Sequence, residues 1–89
     1  MNKAIEALLS SLLNKRKIGG SHTPENKAVM PKTKWLSDGE RKEFENEYRN
    51  LLNQGVLLRM KKRTGKGDDW HISLNPRKLR EIYDILRRG

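Results

Sequence analysis

Residues 40–74 read ERKEFENEYRNLLNQGVLLRMKKRTGKGDDWHISL, and this passage decides the fold. From Glu40 to about Gln54, the residues Phe44, Tyr48, Leu51 and Leu52 recur at the three-and-four spacing of one buried helical face. Just upstream, Ser37-Asp38-Gly39-Glu40 fits a capping box, in which the Ser37 hydroxyl and the Glu40 carboxylate each satisfy an orphan backbone N–H. Gly55 stands where a left-handed residue closes a helix. Val56, Leu58 and Met60 then alternate with Leu57, Arg59 and Lys61, the period-two pattern of a half-buried strand. Lys62 to Asp68 forms a glycine-bearing turn. The chain returns with Trp70, Ile72 and Leu74 on one face and His71 and Ser73 on the other. The unit is a helix, a strand, a basic turn and a second strand.

Upstream of it, residues 2–16 carry Ile5, Leu8, Leu9, Leu12 and Leu13 as the core stripe of a first helix. Lys15, Arg16 and Lys17 fall at its C-terminus, where cations suit the helix dipole. Ile18-Gly19-Gly20-Ser21 breaks the pattern, with room for a very short edge strand around Lys17-Ile18. A second helix is predicted from Thr23 as N-cap with Pro24 at the first helical position, carrying Ala28, Val29 and Met30 inward and stopping by Pro31. Residues 31–36 read as a turn that tucks Trp35 and Leu36 beneath the next helix. Downstream, Asn75-Pro76 starts a last helix by the same cap-then-proline logic, with Leu79, Ile82, Tyr83 and Leu86 on one side.

Eighty-nine residues make one domain, 1–89, near the lower size at which a single core suffices. With only 34% hydrophobic residues, that core must use most of them, and Trp35 and Trp70 are expected in it. The absence of cysteine excludes a disulfide scaffold and any thiolate metal site. Residues 4–13 superficially resemble a signal-peptide core, but Glu6, Ser10 and Ser11 interrupt it and no cleavage-type site follows. No apolar run is long enough for a bilayer span. The formal charge of +9 favours a polyanionic partner, with nucleic acid ahead of an acidic membrane surface.

The order helix, helix, helix, strand, basic loop, strand, helix resembles the winged helix-turn-helix DNA-binding family over nearly the whole chain. Leu51-Leu52-Asn53-Gln54-Gly55-Val56-Leu57-Leu58-Arg59 looks like the passage from recognition helix into the first wing strand. Asp69-Trp70-His71-Ile72-Ser73-Leu74-Asn75-Pro76 looks like the second wing strand entering the last helix. The chain is similar in style to small archaeal and bacterial regulators of that family. The resemblance implies an α+β fold: a three-helix bundle with a β-hairpin wing and a final helix. It implies sequence-preferring binding of double-stranded DNA and transcription regulation, in the cytoplasm and associated with the nucleoid. Winged helices also serve as RNA- or protein-interaction modules of larger transcription, replication or ribosomal assemblies, so the fold alone does not choose.

The residues themselves mark two binding surfaces. Lys42, Asn46, Arg49, Asn50 and Asn53 lie on the helix face opposite Phe44, Tyr48 and Leu51. Asn pairs bidentately with adenine, and Arg with guanine or a phosphate. A solvated face would also carry such residues, but Asn is a mediocre helix former, and a strip of three is a cost that function explains. Glu45 and Glu47 are expected to turn toward the first two helices, while Glu43 adjoins the strip. The second surface is the wing, where Arg59, Lys61, Lys62, Arg63 and Lys66 crowd around glycines and suit phosphate contact. Lysines that merely blunt an exposed sheet edge are the competing explanation.

Enzyme readings fare badly. Gly65-Lys66 lacks the Ser or Thr and the upstream glycine of a phosphate-binding loop. His22 and His71, the only histidines, lie far apart in sequence, and no ligand spacing supports a metal or other cofactor. His71 is expected on the solvent side of its strand or against a phosphate. Leu8, Leu9, Leu12 and Leu13 with Ile82, Ile85 and Leu86 make a wide apolar arc, which predicts a homodimer through residues 2–16 and 76–88.

Overall fold

The computed structural model describes residues 2–64 and 67–88. Its elements are α1 (Lys3–Asn14), β1 (Thr23–Pro24), α2 (Glu25–Thr33), α3 (Asp38–Asn53), β2 (Leu57–Thr64), β3 (Gly67–Leu74), a 3-10 turn (Pro76–Lys78) and α4 (Leu79–Arg88). The fold is α+β, with four helices and a three-stranded antiparallel sheet in the order β1-β3-β2.

Apolar burial dictates how these parts meet. Ile5, Leu8, Leu9 and Leu12 of α1 pack with Phe44 and Leu51 of α3, Val56, Leu57 of β2, Ile72 and Leu74 of β3, and Ile82 of α4 in one buried cluster. The capping box forms as the residues require: the Ser37 hydroxyl accepts from Glu40 N at 3.3 Å and the Glu40 carboxylate accepts from Ser37 N at 3.1 Å. At the other end of α3, Gly55 adopts φ +75°, a left-handed conformation that a side chain would strain. Val56 N then donates back to Leu51 O at 2.9 Å, and Asn75 Nδ2 donates to Gly55 O at 2.7 Å. Helix, turn and hairpin base are thereby fastened together.

The strands of the hairpin are longer than the sequence suggests. β2 runs to Thr64 and β3 starts at Gly67, with Leu57 opposite Leu74, Arg59 opposite Ile72 and Lys61 opposite Trp70. Leu57 shares the core face with Ile72 and Leu74, while Leu58 and Met60 on the other face are only partly covered. β3 is the central strand, and this overturns the solvent side assigned to His71. Residues 17–24 run along its second edge, where Leu74 N donates to Lys17 O and Gly19 N donates to Leu74 O, both at 2.8 Å. Ser73 is fully buried and its hydroxyl donates to Gly19 O at 2.9 Å, while His71 is 8% exposed.

Other expectations are corrected. Thr23 and Pro24 do not start α2; they pair with Ile72 and His71 as an edge strand, where a proline costs no ladder bond. α2 runs through Pro31 to Thr33 rather than stopping before it. Its last turn is held by the Thr33 hydroxyl donating to Val29 O and by Arg41 Nη2 donating to Thr33 O, each at 3.2 Å. Ala28, Val29 and Leu36 do pack against the core, but Met30 and Tyr83 are more than half exposed and Trp35 is 82% exposed. Trp70 stands on the face of Ile72 but beyond the core's edge, 42% exposed.

Candidate nucleic-acid interface

α3 is a rigid platform because both of its ends are tied and its inner face is packed. Phe44 and Leu51 are buried, Tyr48 and Leu52 pack against the core, and the Phe44 and Tyr48 rings stack at 5.8 Å. Lys42, Asn46, Arg49, Asn50 and Asn53 are all exposed on the opposite side. None of their side chains has a protein partner among the described residues.

The acidic residues of α3 divide as their angles demand. The Glu47 carboxylate accepts from Asn2 N at 3.0 and 3.3 Å, which turns it toward the start of α1. Glu45 lines a groove of about 420 Å³ between α2 and α3, with Val29, Met30, Phe44, Tyr48 and Arg49 among its walls. Glu43 remains exposed beside the strip. A phosphate approaching α3 therefore meets Glu43, with Glu47 turned aside.

On β2, Arg59 is already engaged. Its Nε and Nη2 fork onto Glu25 at 2.7 and 2.9 Å, and its guanidinium lies 3.9 Å from the Trp70 ring centre. The Tyr48 hydroxyl donates to the same carboxylate at 2.6 Å. Glu25 thus joins α2, α3 and β2. Burial pushes its pKa up, but the Arg59 and Tyr48 hydrogen bonds outweigh that and hold the carboxyl below its usual range. Desolvation, followed by the Glu25 bond, pushes the Tyr48 phenol well up. Arg59 is thereby held against the helical body.

Lys61, Lys62 and Arg63 are exposed along β2, with the Lys61 ammonium 5.7 Å from the Trp70 ring centre. Lys66 lies outside the described residues. Sequence reasoning missed Glu25, although it is the only acidic residue between positions 7 and 37 and so the only carboxylate available to the surrounding cations there.

It also missed that His22 and His71 meet. Their Nδ1 atoms are 2.9 Å apart with the rings edge to face, so one donates its N–H to the bare nitrogen of the other. Desolvation, then His71, Lys62 and Lys17, lower the His22 pKa from its usual 6.5. Among the described residues no group of three or more His, Asp or Glu side chains is placed to hold a metal ion. No helix of the described residues is long and apolar enough to cross a membrane. Comparison with protein-family models, with curated proteins and with solved structures finds no match to this chain.

Proposed function

We propose that the chain is a winged-helix module that binds double-stranded DNA with a sequence preference and acts as a small transcriptional regulator. The observation that carries the reading is the strip Lys42, Asn46, Arg49, Asn50 and Asn53, exposed and without partners among the described residues, on a helix fixed at both ends. Base readout needs that combination of free donors and acceptors with a rigid support. The layout agrees: β1 lies between the first two helices, α3 leads through Gly55 into a basic hairpin, and α4 follows. Lys61, Lys62, Arg63 and Lys66 of the hairpin are its phosphate contacts, and the net charge of +9 draws the duplex in. On this reading the protein is no enzyme, needs no cofactor and works in the cytoplasm at the nucleoid.

A second copy is the proposed partner at the outer faces of α1 and α4. The surface available for it is smaller than the apolar arc suggests. Leu8, Leu9, Leu12 and Ile82 are buried within one chain, which leaves Leu13, Ile85, Leu86 and Tyr83. Two-fold pairing would set two reading helices about 34 Å apart, one duplex turn.

The competing reading is a protein-interaction module, favoured by the exposure of Met30 in the wall of the α2–α3 groove and of Trp35. Selection of bound sequences from a random duplex pool at ~0.15 M salt separates them. An enriched motif is expected. Loss of all nucleic-acid binding at that salt would favour the protein partner, and equal capture of structured RNA would favour an RNA module.

A further inference from the structure

The geometry points to a second anion site, in the cleft between α1 and α2, that takes the phosphate group of a small phosphorylated molecule. The cleft has a volume of about 130 Å³, and its polar wall is formed by Ser11, Lys15, Thr23, Lys27 and Lys32. A recess of that size has room for a tetrahedral oxyanion.

The charge on this wall is of one sign. No carboxylate borders the cleft. Among the described residues Lys15, Lys27 and Lys32 have no ion pair, whereas Arg59 and Lys78 each find a glutamate. Ammonium groups gathered around a recess repel one another unless an anion sits between them. The hydroxyls of Ser11 and Thr23 likewise have no protein partner among the described residues, so the lining residues offer donors of two kinds. Leu12, Ala28 and Pro31 complete the wall and limit water behind the anion.

The cleft is separate from the face proposed to meet DNA. Asn26, Val29 and Met30 of α2 look into the groove toward α3, whereas Lys27, Pro31 and Lys32 line the cleft toward α1. At about 100° per residue, the two sets centre on different faces of α2, with Lys27 one turn from Met30 and Lys32 one turn from Val29. A duplex lying along α3 would therefore leave the cleft unfilled, although Lys27 also borders a hollow lined by Asp69 and Trp70 of β3. The inference does not depend on DNA binding, since it rests on the cleft alone.

The test is titration of the whole protein with inorganic phosphate at constant ionic strength, followed by backbone amide NMR and calorimetry. Saturable one-to-one binding is expected, with shifts centred on residues 11–17 and 23–32 and affinity rising with pH as phosphate takes its second negative charge. Lys27→Gln and Lys32→Gln should each weaken binding about threefold and the double variant roughly tenfold. Lys3→Gln, far along α1, should leave it unchanged, and amide spectra would verify that each variant is folded. Shifts that grow linearly over all lysine-bearing faces, or equal loss in Lys3→Gln, would overturn the site. So would complete displacement of phosphate by duplex DNA, which would give the cleft to the duplex. Retention of phosphate in a protein that binds no DNA would leave this site standing and count against the DNA reading only.

Discussion

The Arg59 guanidinium lies 3.9 Å from the centre of the Trp70 ring while the same group forks onto Glu25. Arg59 and Trp70 stand on neighbouring strands, and Glu25 belongs to the first turn of α2. The contact therefore fixes the basic hairpin against the helical body at a distance from the core. An arginine held in this way sets the angle at which Lys61, Lys62 and Arg63 are presented.

Removing Glu25 should show what this fastening contributes. Glu25→Ala leaves the Arg59 guanidinium and the half-buried Tyr48 hydroxyl without their shared acceptor. The expected loss is about 1–2 kcal/mol, at the lower part of the range for hydrogen bonds to charged groups because Arg59 is partly in water. The sign with pH follows from the depressed carboxyl. Its contribution is full above the usual value of 4.5 and is lost as pH falls through the lower folded value. Urea denaturation at pH 7 and at pH 3 checks both points, and equal wild-type and variant stabilities at pH 7 would remove Glu25 from this role.

The tryptophans should behave unlike core residues. Trp70→Ala loses the cation contact and part of an exposed ring, so about 1 kcal/mol is expected rather than the larger cost of a core truncation. Trp35, 82% exposed, should change stability by less than ~0.5 kcal/mol on replacement by Ala. Ile72→Ala, fully buried on the face of Trp70, should cost about 2–5 kcal/mol. Chemical denaturation of the three variants ranks them, and a Trp70 loss equal to that of Ile72 would place the ring in the core.

These contrasts show where the sequence is legible. Local signals read well: the Ser37–Glu40 cap, the α3 stripe, the turn at Gly55 and the Asn75-Pro76 start all depend on residues within a few positions of one another. Tertiary facts did not read. A period-two pattern assigns faces but says neither where the core ends, which misplaced Trp70, nor whether the second face is covered. His71 and Ser73 are buried because residues 17–24 return alongside β3, a pairing set by chain topology. Pro24 and Pro31 misled for a related reason. Proline is tolerated in an edge strand, and a helix can continue past one when side chains and packing hold its last turn. The strip on α3 was legible from helical spacing alone, whereas the engagement of Arg59 with Glu25 required the fold.

The histidine pair gives a pH dependence of opposite origin to that of a salt-bridged histidine. The His22 pKa is lowered in the folded state, so the unfolded chain binds more protons below its usual 6.5. The associated stability is complete above about that pH and is lost as pH falls through the folded value. Ring-proton NMR should place the His22 midpoint below 6.5, and Lys62→Gln should raise it by removing a nearby positive charge. A His22 midpoint at or above 6.5 in the wild type would contradict the contact.

The central claim is that α3 reads bases while the wing holds phosphates, and one set of binding curves tests it most directly. A selected duplex and a random duplex are titrated across salt with Asn46→Ala, Arg49→Ala, Asn50→Ala, Lys62→Ala and Arg63→Ala. The α3 variants should lose about 1–3 kcal/mol on the selected duplex and much less on the random one. The wing variants should weaken both alike and reduce the salt slope by about one unit per lost contact. If the α3 variants instead bind both duplexes like wild type while the wing variants lose all binding, the protein is a non-specific DNA binder and α3 does not read sequence.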